Sequence, residues 1–439
     1  MYKRRIAYLA KADNLLTFGG CMTYAYSLID ICKKMNVLVD IIVDETPTDR
    51  KRYIPPSRFS IFNEVCHTTP IKMHRTASRA TKTMPIRGAI VINSFLNAIE
   101  NKLYDAILLN DVELLYFLAA SFPDRLPDNV WLYMHNHEFF MTAKNDYLAP
   151  DWFRDTLTMT IKNINFAGML IQGEANVPLV VKNFPGKVVK VVKVTLPDSK
   201  KDYSDFAKRE GIIYFGSGEP HKNPELAIEI FNKVNKRQKI SVDFVIGRGT
   251  RRLLECLKKA QFSYIIREKL DYGEVEKLFQ TKKLGIVTSG IEGFCMTVVE
   301  QLYYYPVMLP AYTDYAKHFP SAIKFNTVDG AVEEMLEILN CDETKWLSYC
   351  EHNSDWLDSF YDEEKIIAIY EELFAIKPRD TLTSKKLSKL QKDITYKDLL
   401  RQLNWKDIPP AFVTAQLWNV QRCHDKKDTY ILAGGKGLL

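Results

Sequence analysis

Two successive series of short apolar strands alternating with amphipathic helices predict an α/β protein of two Rossmann-like domains facing across a cleft, with a helical extension at the C-terminus. Three observations carry this expectation. The chain opens as strand, glycine loop, helix and strand; the same order restarts after a polar stretch; and the restart again sets glycines where a strand turns into a helix.

In the first series Arg5–Leu9 is a strand, and Leu15–Thr23 is a loop containing Gly19 and Gly20. Tyr24, Leu28, Ile31 and Cys32 recur at helical spacing, and Val37–Val43 is the next strand. Ile92, Phe95, Leu96, Ile99 and Leu103 form a second helical face, followed by strands at Ala106–Leu109, Val130–Met134 and Gly168–Ile171. After the apolar run Val188–Val194, the Lys-, Asp- and Ser-rich segment Asp198–Glu210 reads as a linker. The second series is Gly211–Phe215 (strand), Pro224–Lys236 (helix), Val242–Ile246 (strand), Leu253–Ala260 (helix), Tyr264–Ile266 (strand), Tyr272–Gln280 (helix) and Leu284–Ser289 (strand). Val298–Leu302 begins another helix. The expected units are residues 1–197, 211–345, a helical stretch 346–376 packing back across the domains, and a basic extension 377–439 with an apolar helix candidate near Phe412–Val420.

The 439 residues suffice for two or three domains, and 26% charged with 46% apolar residues excludes disordered and fibrous classes. No apolar window reaches membrane-spanning length, and the start Met1–Ile6 enters a strand without an apolar leader. The eight cysteines lack C-x-x-C spacing, which reads as reduced thiols, no zinc site and a cytoplasmic location. The net charge of +6 hides a strong asymmetry. Between Arg50 and Arg87 stand Arg50, Lys51, Arg52, Arg58, Lys72, Arg75, Arg79, Lys82 and Arg87 against one acid, Glu64, whereas Asp329–Glu372 is acidic. A cationic block of this kind is a footprint for a polyanion or an anionic surface.

Candidate chemistry gathers in the second series. Gly216-Ser-Gly-Glu-Pro-His-Lys-Asn-Pro224 joins a strand to a helix, where backbone N–H groups and Lys222 suit an anion. Glu292-Gly-Phe-Cys-Met-Thr-Val-Val-Glu300 sets two carboxylates eight residues apart, one in a turn after a strand and one inside the next helix. This constellation resembles the C-terminal domain of retaining GT-B glycosyltransferases, particularly the family 4 group, over about residues 211–310, with Val245-Ile-Gly-Arg-Gly249 and Tyr272–Leu278 in matching order. The resemblance implies transfer of a sugar from a nucleotide-sugar, UDP-glucose or another UDP-sugar, with no obligate cofactor or metal. It implies that Glu300 binds the donor ribose and Glu292 the donor sugar, with Gly293 and Phe294 beside them. Lys222, with Arg248, would neutralise the diphosphate, and Gly19 and Gly20 would lie beside the phosphates. Two departures stand out: Ser217 replaces a usual arginine, and Tyr303–Tyr305 replace usual small residues.

In the first series Tyr133-Met-His-Asn-His-Glu138 ends a strand at the cleft, and the resemblance makes His135 a catalytic-site residue contacting the donor sugar. The segment is also similar to the Y-x-H-x-H stretch of T-even phage DNA α-glucosyltransferases, with Asn136 where those enzymes carry an aspartate, so no base transfers there. Metal ligation by His135 and His137 is a further reading without a matching carboxylate. The cationic block, interleaved with Tyr53 and Phe59, then favours double-stranded DNA carrying a hydroxymethylated pyrimidine as acceptor, in a host cytoplasm if the chain is phage-encoded. A lipid-linked or polysaccharide acceptor at a membrane surface remains open, although residues 71–88 are short of bulky apolar side chains. A non-catalytic nucleic-acid-binding protein on a transferase scaffold is the third reading.

Overall fold

Alternating apolar segments can satisfy their backbone groups and bury both faces only as a parallel sheet covered by helices, and the chain does this twice. The computed structural model describes residues 4–10, 20–42, 91–92, 95, 104–110, 112–121, 126, 128–135, 158, 161–193, 200–246, 250–268, 270 and 272–375. The first sheet contains β1 (Arg4–Leu9), β2 (Val37–Ile42), β3 (Ala106–Leu109), β4 (Val130–Tyr133), β5 (Gly168–Ile171) and β6 (Val189–Val191). Its order is β2-β1-β3-β4-β5-β6, with every pair parallel. Helix α1 (Gly20–Lys34) lays Tyr24, Leu28, Ile31 and Cys32 into the core, the face its spacing predicts. Helices α2 (Val112–Ser121) and α3 (Val177–Asn183) complete the described helices of this half that follow β3 and β5. Of the predicted 92–103 face, Ile92 and Phe95 are buried and the remaining positions lie outside the described residues.

The second sheet runs β12-β11-β10-β7-β8-β9, again all parallel. Its strands are β7 (Ile212–Gly216), β8 (Ser241–Ile246), β9 (Ser263–Glu268), β10 (Leu284–Ile286), β11 (Val307–Pro310) and β12 (Ile323–Phe325). Read from β9, the order is that of the Rossmann fold, in which the direction of winding reverses between the first and fourth strands, here β7 and β10. Between these strands run α4 (Pro224–Arg237), α5 (Thr250–Leu257), α6 (Tyr272–Phe279) and α7 (Met296–Leu302), followed by α8 (Val328–Asn340) after β12. Sequence patterning missed β11, β12 and α8, and it extended β10 three residues too far.

Helices α9 (Glu343–Phe360) and α10 (Glu363–Ala375) close the described chain. Asp342 caps α9, its carboxylate accepting from the Lys345 N–H at 2.9 Å. Helix α10 returns to the first half: Lys34 Nζ pairs with Glu363 at 2.7 Å, Lys190 pairs with Glu372, and the Tyr370 hydroxyl lies 3.5 Å from that of Tyr24. Lys193 stands 4.5 Å over the Phe360 ring.

The segment read as a linker is not loose where it is described. Arg209 is buried, and its guanidinium donates to the carbonyls of Asp202 and Ser204 at 2.8 Å and of Tyr304 at 3.0 Å. Five N–H donors in a rigid fork suit such a cage of carbonyls, so the polar composition reflects docking through one arginine. Residues 377–439 lie outside the described residues.

Candidate functional site

The C-terminal edge of β7 and β10, where the second sheet reverses its winding, is where an α/β sheet opens a ligand crevice. Both strand ends carry predicted residues. After β7, Pro220–Lys222 form a single 3-10 turn, and Asn223 takes the left-handed conformation (φ 48°) before Pro224 opens α4. Asparagine tolerates that conformation, and proline at the first helical position has no N–H to leave unpaired. The N–H groups of Lys222 and Asn223 are spent inside this turn, on Glu219 O and Pro220 O at 3.0 Å. Two of the amides expected to cradle an anion are therefore already used, and the Lys222 ammonium carries more of that role. A Cβ added to Gly216 would meet nothing within 4 Å, so the end of β7 opens onto free space.

The two loops are tied to each other. The Thr288 hydroxyl lies 2.9 Å from Lys222 O and 3.0 Å from Asn223 O, and the Gly290 N–H donates to His221 O at 2.8 Å. Across this seam Lys222 Nζ pairs with the Glu292 carboxylate. The two side chains keep only 17% and 13% of their exposure, so the pair is shielded and its attraction correspondingly strong. Burial alone would push the Glu292 carboxyl up; Lys222, with help from Ser289 and His221, holds it below the usual carboxylate value. His221 is held below the usual histidine value, first by burial and then by the Lys222 charge. Glu292 is thus an anion and its neighbour His221 a neutral imidazole near neutral pH.

Beyond Glu292, Gly293 is buried and Phe294 turns its ring away into an aromatic stack, 5.3 Å from Phe360 and 5.2 Å from Phe319. Its ring belongs to the core, leaving only its backbone for a donor. Cys295 takes a left-handed conformation (φ 74°) and turns the chain into α7. Burial pushes its thiol up to about 12, so it is no nucleophile at neutral pH. Glu300 lies in the middle of α7, 7% exposed, on the same short element that Glu292 leads into. The tyrosines that replace small residues pack behind: Tyr305 lies against Gln301 and Gly285, where an added Cβ would stand 2.7 Å from the Tyr305 ring. Glycine in β10 makes the space that the bulky tyrosine fills.

In the first sheet the winding reverses between β1 and β3. Gly20 is the first residue of α1 after β1, while Gly19 lies outside the described residues. His135 follows β4, its Nε2 bonded to Asn110 Oδ1 at the end of β3. The His135 ring stands edge-on to Tyr133 at 4.1 Å, and Tyr133 is stacked on Tyr24 at 3.6 Å. Asn110 escaped the sequence reading; a polar residue ending an apolar strand beside the winding reversal is the signal that would have found it. His137, Arg248 and the nine cations from Arg50 to Arg87 lie outside the described residues, so the structure brings together Lys222, Glu292, Gly293 and the turn into Glu300, and says nothing of those.

Two parallel-sheet domains joined by a returning C-terminal helix, with loops of both strand-end faces carrying the polar residues, make the GT-B architecture. Residues 197–344 match the family model described as glycosyl transferases group 1. That match, together with the likeness of fold, gives glycosyltransferase as the enzyme class. Among solved structures, a sucrose-phosphate synthase from Thermosynechococcus elongatus aligns at TM-score 0.70 and 13% identity, covering 85% of this chain and 100% of its own. TarM aligns at 0.62 and 10% identity, covering 85% and 99%. HepE of Anabaena, in complex with UDP and glucose, aligns at 0.60 and 14% identity, covering 84% and 98%. These likenesses concern the fold. No curated protein matches the chain.

Proposed function

We propose that this glycosyltransferase moves a sugar with retained anomeric configuration from a UDP-sugar to a hydroxyl of a polyanionic acceptor, a hydroxymethylated pyrimidine in double-stranded DNA. One observation carries the donor half: Lys222 and Glu292 meet as a shielded ion pair at the winding reversal of the second sheet, with Glu300 inside the short helix that follows. Carboxylates accept from paired hydroxyls, and a departing diphosphate requires positive charge. In this reading Glu300 accepts from the ribose hydroxyls, Glu292 from the sugar, and Lys222 balances the charge that develops on the leaving β-phosphate. The bond from the anomeric carbon to the phosphate oxygen breaks while the acceptor oxygen approaches the same face. The acceptor proton passes to a phosphate oxygen, giving the glycoside and the nucleoside diphosphate. His135 borders the sugar from the first domain. The UDP in the complexes of HepE and of a TarM variant supports UDP as the nucleotide.

The acceptor half rests on nine cations against one acid between Arg50 and Arg87. A glycan acceptor has its own support in the TarM complex with fondaparinux and alpha-GlcNAc-glycerol. Among the described residues no helix is long and apolar enough to cross a membrane. A cytoplasmic site of action belongs to the same proposal. The test offers purified protein a panel of UDP-sugars with DNA that carries or lacks 5-hydroxymethylated pyrimidines, and reads the digested nucleosides by mass spectrometry. One sugar gained on the modified base alone is the expected result. UDP release without any change in the DNA would overturn the acceptor and keep the donor; absence of UDP release with every donor would overturn both.

A further inference from the structure

A buried contact that the reaction scheme does not use joins the two halves at the Glu292 loop. Asn176 ends the 3-10 turn that follows β5, and it is 2% exposed. Its Nδ2 donates to Gly293 O at 2.6 Å and lies 3.1 Å from Nε2 of His318, which ends the 3-10 turn after β11 and is 9% exposed. The orientation of the amide is fixed by elementary accounting. A carbonyl oxygen only accepts, so Nδ2 and not Oδ1 must face Gly293, which leaves the second amide hydrogen on the side of His318 Nε2.

The surroundings hold this geometry. A Cβ at Gly173 would collide with the His318 ring and stand 3.1 Å from Asn176 Nδ2. Gly173 has an ordinary extended backbone (φ −112°), so glycine is required there for space and not for conformation. On its other side the His318 ring packs 5.3 Å from Phe294. The two residues after Glu292 are thus gripped from both sides, Gly293 by its carbonyl and Phe294 by its ring.

We propose that Asn176 is an interdomain positioning residue: by holding the Gly293 carbonyl, it keeps the adjacent Glu292 carboxylate aligned with Lys222 only while the first domain is seated on the second. Productive orientation of Glu292 is then coupled to domain closure through one amide. The functional consequence rests on the donor reading above, whereas the mechanical part stands on the contact alone.

The experiment compares wild type with Asn176→Ala, and with Asn176→Ser should the alanine variant fail to fold. It measures amide hydrogen exchange across residues 290–296, UDP affinity, and turnover of the donor identified in the panel. The expected result is faster exchange in 290–296 and a kcat lower by about 10–100-fold, with UDP affinity changed by less than about twofold because UDP lacks the sugar that Glu292 faces. Unchanged exchange in that segment would overturn the positioning role. Equal losses in kcat and UDP affinity would overturn it too, showing a general structural effect. If wild type binds no UDP, the donor reading fails, and the exchange data still decide the mechanical part.

Discussion

Replacing Lys222 by methionine removes the charge that keeps Glu292 ionised while leaving a side chain of similar length. Both partners are largely shielded, at 17% and 13% exposure, so the variant strands a carboxylate that burial opposes. Removing one partner of a buried pair costs about 3–5 kcal/mol; residual solvent contact places this pair near the lower end. The pH dependence has a defined sign. In the wild type the Glu292 pKa lies below the ordinary 4.5, so pairing stabilises the fold above about that pH and is lost as pH falls through the depressed value. In the variant burial is opposed only by Ser289 and His221, the folded-state pKa rises above its wild-type value, and the stabilisation that pairing supplied at higher pH is lost. The stability gap between wild type and Lys222→Met should therefore be small at about pH 4 and largest at about pH 7. The assay is urea unfolding at both pH values for the two single variants, Lys222→Met and Glu292→Gln, and the double variant. Removing both charges should restore about 1–3 kcal/mol relative to additivity. Strict additivity, or a gap that does not widen with pH, would refute the ion-pair reasoning.

Two further perturbations follow from the same contacts. Thr288→Val deletes the hydroxyl that bonds the Lys222 and Asn223 carbonyls, at a cost of about 1–2 kcal/mol; UDP titration should show weaker binding because the loop bearing Lys222 loses its seam. Arg209→Met empties a cage of carbonyls from Asp202, Ser204, Lys282 and Tyr304 and should lower the unfolding free energy by about 3–5 kcal/mol, read by urea unfolding, with UDP affinity of the folded protein unchanged.

Most of this fold was legible because its strands are uniformly apolar and its helices amphipathic. β1, β3, β5, β8 and α1 fall within a residue or two of their predicted bounds, apart from the early start of α1 at Gly20. Elements that escaped lack those signals. β12 has three residues, one exposed, and β11 follows a run of tyrosines that reads equally well as the end of a helix. Segment 200–210 looked like solvent-exposed linker because local composition cannot reveal that Arg209 finds carbonyls about seventy positions and more away. The site divides the same way. Lys222, Glu292 and Glu300 announce themselves by spacing, whereas Asn176 reaches a carbonyl 117 positions along the chain and has no local pattern. Phe294 shows the converse: it sits in the motif, yet its ring serves the aromatic stack with Phe319 and Phe360.

The central claim is that a UDP-sugar binds at the winding reversal of the second sheet with its ribose on Glu300. Calorimetric titration of UDP into wild type and Glu300→Gln tests it most directly, since UDP alone carries the ribose and diphosphate. The account predicts binding by wild type and a loss of about 1.5–3 kcal/mol in the variant, a factor of about 10–100 in Kd, from one charged hydrogen-bond acceptor, with the thermal midpoint little changed. Equal UDP affinity in the two proteins would contradict it.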